Sequence, residues 1–303
     1  MAREARLRRG GGIGFVALAA ALAVALSAVP AGAKTRDVHP GKRAIEKAVD
    51  RARAGDKLRI HAGTYRGRVE VDKRLKLVGV GGRPTLDARC HGPITVSIEH
   101  GGVTLRHLKI VGAADVEGLP GYAVSMFGIP SAVVSDVVVR ETCPEAPAEY
   151  GINVFNSEQI KIVDTLARGG FTDAGIYVGQ ISGSGDGALI LKRNEAFGNN
   201  KGAIVEFSAG GDIRVLDNDF HDNTIDGVGE RVGLFIHDAV GVLIEGNRAD
   251  DNGDYGFQLT SGAFDNVLND NAASGNAVDL LDEGAGNCGS GNSFGGANLL
   301  PPC

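Results

Sequence analysis

The chain has 303 residues, a formal net charge of −6, 43% hydrophobic and 22% charged residues, a globular composition that excludes wholesale disorder. Its 46 glycines are about twice the usual share and do not fall at every third position, which excludes collagen. Aromatics are 5% and tryptophan is absent, so a core must rest on Val, Ile, Leu and Ala.

Residues 1–33 read as a signal peptide. Arg3, Arg6, Arg8 and Arg9 form a basic start, Ile13 to Val29 is an uncharged run of 17 residues, and Ala31-Gly32-Ala33 is a small-x-small cleavage site before Lys34. A membrane anchor wants about 20 apolar residues, so the run is short for one. No later segment could span a bilayer, so the expectation is a secreted, extracytoplasmic monomer. Removing the leader leaves a charge of −9, arranged as +5 over residues 34–150 and −14 over 151–303. All 16 asparagines also follow residue 150. Such an acidic half does not suit a nucleic-acid partner, which demands a basic footprint.

From Gly41 to Asp56 the chain reads as an amphipathic helix. Ala44, Ile45, Ala48, Val49 and Ala52 share one face, and Gly55 is its stop. The coils that follow are basic, with Arg59, His61, Arg66, Arg68, Lys73, Arg74 and Lys76, which reads as a solvated face or as an attraction for an acidic polymer.

From about residue 120 a phrase recurs: small, apolar, any, apolar. It begins at Ala123, Gly151, Gly175, Gly202, Gly233 and Gly256, with a weaker seventh at Ala277. A second phrase interleaves with it, an alternating strand running into Glu141, Asp164, Asn194, Asn218, Asn247 and Asn271. Self-similarity at this period means stacked repeats, and the units are too short and too β-like to be helical. The expected fold is all-β, a right-handed parallel β-helix over residues 34–283 with a helix cap near 41–55. Its coils stack at about 4.8 Å, with Asn194, Asn218, Asn247 and Asn271 forming a ladder at one turn. The helix would lid the first coil. Residues 284–303 read as an irregular, disulfide-stapled tail.

Cys90, Cys143, Cys288 and Cys303 in an exported chain suggest disulfides, with three possible pairings. Proximity favours Cys288–Cys303, which leaves Cys90–Cys143. No Cys or His neighbours them at ligand spacing, so no metal site is expected there.

The runs Ala44-Ile45-Glu46-Lys47-Ala48-Val49, Gly55-Asp56-Lys57-Leu58-Arg59-Ile60, Ala62-Gly63-Thr64-Tyr65 and Leu75-Lys76-Leu77-Val78-Gly79 resemble the opening of pectin-lyase-like proteins. The Gly-Ile-x-Val and Asn phrases resemble the parallel β-helix repeats of that superfamily, over roughly residues 40–283. The resemblance implies a secreted β-helix that often acts on polysaccharides, as lyase, epimerase, hydrolase or non-catalytic protein. The active-site patterns of polygalacturonases, pectin methylesterases, pectate lyases and alginate epimerases do not match this chain; Asp250-Asp251 stands alone.

Aligning the repeats on the small residue gives outward columns directly. The first is Ser125, Asn153, Tyr177, Ile204, Phe235 and Gln258. The second is Phe127, Phe155, Gly179, Glu206, His237 and Thr260. The turn position after them holds Gly128, Asn156, Gln180, Phe207, Asp238 and Ser261. Glu206, His237 and Asp238 are therefore the candidate catalytic groups, able to move a proton. Tyr177, Phe235, Asn153, Asn156, Gln180 and Gln258 are the candidate substrate-binding residues, with Tyr177 and Phe235 as exposed platforms for a sugar ring. The bland alternative is a solvated Glu/His pair on a sheet face, in a non-catalytic scaffold that presents a protein-binding surface. No cofactor is required. Calcium is the one candidate, through Asp250, Asp251 and Asp254 or the Ser182–Gly187 loop.

Overall fold

The computed structural model describes residues 32–116, 118–182, 187–209, 212–295 and 300–303. Residues 1–31 of the leader and residues 183–186 of the Ser182–Gly187 loop lie outside them. Strands of two to six residues form three sheets of eleven, nine and ten strands, and every pairing between them is parallel. One coil runs Lys57–His61, Thr64–Arg66, Val69–Val71, and the next strand, Lys76–Val80, returns onto the first. This is the right-handed parallel β-helix expected from the repeats. Its core is a continuous column of Val, Ile and Leu, filled out by fully buried Phe171, Phe220 and Phe257.

The registers match the alignment. Ser125, Asn153, Tyr177, Ile204, Phe235 and Gln258 are successive partners, and so are Phe127, Phe155, Gly179, Glu206 and His237. The weak seventh repeat slips by two, because Val278 pairs with Tyr255 and Leu280 with Phe257. Asp279 therefore stands where earlier coils have glycine.

The glycines of the phrase have a steric cause. A Cβ on Gly151 would lie 2.9 Å from the core side chains of Val139 and Phe171, and one on Gly202 2.9 Å from Phe220. Both the glycine and the residue after it thus face the core. The side-chain alternation breaks there, and the residue before the glycine is left on the outside.

The asparagine ladder is present and longer than expected. Each Asn Nδ2 donates to the next Oδ1 from Asn194 through Asn218, Asn247 and Asn271 to Asn292, at 2.8–3.1 Å. Two residues assigned to this turn belong elsewhere. Thr165, not Asp164, precedes Asn194 in the column, since its amide meets Asn194 Oδ1. Glu141 lies at the following turn, where its carboxylate accepts from the amides of Cys143 and Ala148. A second ladder, Asn199, Asn223, Asn252 and Asn276, runs five residues behind the first.

The cap helix is shorter than expected, Ala44–Arg51. It stops because Ala52 turns extended, well before Gly55. Ile45, Val49 and Ala52 are buried on the first coils, with Ala44 and Ala48 packed beside them. At the other end, part of the tail is regular: Cys288–Ser290 and Ser293–Phe294 extend two of the sheets. Both disulfides form as paired in the sequence reading, Cys90–Cys143 and Cys288–Cys303.

Asp56 fixes the N-terminal edge. It accepts from the amides of Lys34 (2.7 Å) and Arg53 (3.0 Å) and from Arg36 Nε (2.9 Å). These donors favour the carboxylate and hold its pKa down at about 2. A depressed acid stabilises the fold above its unfolded pKa of about 3.9 and stops doing so as pH falls through the folded value. Wild type should therefore lose more thermal stability than Asp56→Asn between about pH 4 and pH 2. Melting curves across that window check it, and parallel losses in the two proteins would contradict it.

Candidate functional site

The nine-stranded sheet carries the site on its outer face. Glu206 ends the strand Lys201–Glu206 and His237 ends the next, Val232–His237, so parallel register sets them side by side. His237 Nδ1 lies 2.8 Å from Glu206 Oε1. The other oxygen, Oε2, accepts the Tyr177 hydroxyl at 2.5 Å. Gly179 makes that reach possible, because a Cβ there would come within 2.5 Å of the Tyr177 oxygen. Glu206 is thus engaged on both oxygens, and His237 is the group left facing outward. The Phe235 ring stacks on the imidazole at 5.3 Å and the Phe207 ring tilts against it at 5.1 Å.

The other expected residues divide. Asp238 lies at the turn, its Oδ2 3.8 Å from His237 Nε2, and its Oδ1 accepts from Thr260 Oγ1 at 3.1 Å. Asn156 and Gln180 are exposed turn residues in left-handed conformation, on the same edge of the sheet. Asn153 and Gln258 are buried although they face outward, and the Gln258 Oε1 has no partner among the described residues. Tyr177 is not the exposed platform the alternation implied. It is 8% exposed, because Tyr150 stacks on it at 4.6 Å and Ile204 packs beside it. Phe235, the other expected platform, is half-buried against the same cluster, whereas Phe127, stacked on Phe155 at 5.7 Å, Phe207 and Phe264 are exposed. Of the calcium candidates, Asp254 is clamped by Arg231 at 3.0 and 3.1 Å, and Asp250 meets Arg248 and Ser274.

Sequence reasoning missed the column before the glycines: Tyr122, Tyr150, Ala174, Lys201 and Val232. Here Lys201 Nζ is buried against Asp173 Oδ1 at 2.8 Å, Asn200 Oδ1 at 2.8 Å and the Val228 carbonyl. It also sits 5.9 Å from the Phe235 ring centre. The Tyr150 hydroxyl donates to Asp173 Oδ2 at 2.7 Å. Burial, with Asp173 adding to it, pushes the Tyr150 phenol far above its ordinary range, and burial raises Glu149. Burial and the carboxylates of Glu149 and Asp115 push Tyr122 up to about 12. These tyrosines therefore stay protonated donors at neutral pH. Three tyrosines, Tyr122, Tyr150 and Tyr255, standing two residues before the apolar position of the phrase were the available signal.

A family profile described as "Periplasmic copper-binding protein (NosD)" matches residues 109–298. No curated protein matches the chain. Among solved structures, the enzymatically active domain of tailspike protein 2 from bacteriophage CBA120 is 12% identical, with 83% of this chain covering 40% of that one at a TM-score of 0.59. ORF18 of Geobacillus virus E2 is 12% identical, 86% covering 59%, at 0.51. Pectate lyase Pel9A is 11% identical, 86% covering 80%, at 0.46. At these identities the likeness shows the fold alone, and the chain spans less than two thirds of the two viral proteins. Among the described residues no helix is long and apolar enough to cross a membrane.

Proposed function

This chain belongs to the NosD family, and on that premise we propose that it works outside the cytoplasm, binding a polysaccharide on the outer face of the nine-stranded sheet with His237 as the proton-transferring group. The family's periplasmic description and two disulfides support the compartment. The observation that carries the site is the oriented imidazole: Glu206 holds Nδ1, Tyr177 holds Glu206, and aromatic rings flank the whole. A base aligned by a carboxylate is the arrangement general acid–base catalysis needs. Glu206 is then a positioning residue. Hydrolysis of a glycosidic bond usually takes two available carboxyl groups, whereas proton abstraction from a sugar carbon takes one base. The arrangement therefore favours a lyase or epimerase over a hydrolase. The rings of Phe127, Phe155, Phe207 and Phe235 supply apolar faces for sugar rings.

Copper does not fit the residues present. Cu(I) selects thiolates and thioethers, but all four cysteines are in disulfides and Met126 is sealed in the core. No group of three or more His, Cys, Asp or Glu among the described residues could hold a metal.

A panel of polysaccharides tests the reading. Phe235→Ala should weaken binding about tenfold. His237→Gln should abolish turnover while binding persists, and Glu206→Gln should lower turnover about 100-fold with little change in binding. Binding to no polysaccharide would reject the proposal and leave the scaffold reading, which the coverage of Tyr177 and Asn153 favours.

A further inference from the structure

The first coils and the segment leading into the cap helix form an open cavity of about 850 Å³ whose walls carry Lys42, Arg43, Arg66, Arg68, Arg89 and His91. No carboxylate lines it. We propose that this cavity binds a compact, multiply charged oxyanion, a phosphate ester or pyrophosphate group.

The argument is one of unmatched charge. Arg43 is paired with Glu46, and Arg68 lies at 4.0 Å from Glu70 and 3.8 Å from Glu99. Those acids belong to the surroundings: Glu46 and Glu70 line the adjoining cavity with Asp50 and Asp72. The side chains of Lys42, Arg66, Arg89 and His91 have no hydrogen bond or ion pair among the described residues. Asp87 is the register partner of Arg66, but its Oδ1 accepts the Arg89 amide at 2.7 Å instead. Arg59 and His61, in the strand Lys57–His61, by contrast both meet Asp37.

The wall is also held in place. Arg89 and Cys90 are both left-handed, at φ 62° and 57°. The Cys90 amide donates to the Gly112 carbonyl at 2.8 Å, and the Cys90–Cys143 bridge ties the turn to a later coil. The backbone of Arg89–His91 is thereby held on the coil next to that of Arg66. Guanidinium forks match phosphate oxygens in pairs. A lone carboxylate brings one negative charge against Lys42, Arg66 and Arg89, whereas a phosphate ester or pyrophosphate brings two or more. The cavity is four coils from Glu206, roughly 19 Å along the stack at ordinary strand spacing, so this proposal stands apart from the sheet site.

Calorimetric titration of the whole protein with inorganic pyrophosphate tests it. One saturable site is expected, weakened by added salt. Arg66→Gln and Arg89→Gln should each raise the Kd at least about tenfold, and His237→Gln should leave it unchanged. Glucuronate, which carries a single carboxylate, should not bind measurably at the same concentration. Absence of saturable binding, unchanged affinity in both arginine variants, or equal affinity for glucuronate would overturn the proposal.

Discussion

Asn218→Leu is expected to lower the unfolding free energy by about 3–5 kcal/mol. The side chain serves three coils. Its Oδ1 accepts from Asn194 N (2.9 Å) and Nδ2 (3.0 Å), and its Nδ2 donates to the Leu191 carbonyl (3.0 Å) and Asn247 Oδ1 (2.8 Å). Every one of these groups is buried. Leucine is of similar size, so the cost is polar: a backbone amide and a carbonyl lose their partners away from water, at about 1–3 kcal/mol each. For a fold with about 5–15 kcal/mol in total, that is a large share. Urea denaturation with an unchanged slope reads it out. Lys161→Ala, on an exposed position of the strand Gln159–Val163, is the control and should shift the midpoint little. Equal midpoints for Asn218→Leu and wild type would show that the ladder contributes nothing net.

Lys201→Met should cost about 3–5 kcal/mol, because it removes one member of a buried ion pair and strands the other. Asp173 would keep only the Tyr150 hydroxyl on its side chain, and the Val228 carbonyl would lose its donor. Segment 224–231 would lose a point of attachment, so proteolysis there should quicken. The double variant Lys201→Met/Asp173→Leu removes both charges and should recover most of the loss. Denaturant midpoints of the two single variants and the double one test this. A double variant no more stable than Lys201→Met would mean that the cost lies in packing rather than in the uncompensated carboxylate.

The stack was legible because its spacing is written in side chains that only one geometry satisfies. A small residue must recur where the chain crosses the core, and an asparagine must recur where amides bond along the axis. From those two markers the neighbouring positions of Glu206 and His237 follow. Lys201, Asp173 and Tyr150 stayed hidden because the glycine breaks the alternation, so counting forward from Gly202 never reaches Lys201. The burial of Tyr177 was hidden for another reason: an outward residue on a sheet is covered or bare according to the size of its neighbours in other coils. Tyr150 is large and Gly179 is small, and both facts matter only once the register is known. The second asparagine ladder carried the same spacing as the first and could have been read from it.

The C-terminal tail folds back so that Gly289 donates its amide to the Pro301 carbonyl, and the Cys288–Cys303 bridge holds it there. A wound stack is in principle endless, since each rung templates another, including a rung from a different molecule. The tail covers one amide of that edge, at the last strand of the eleven-stranded sheet. Its bridge makes that cover depend on an oxidising environment, so reduction frees the edge amide of Gly289.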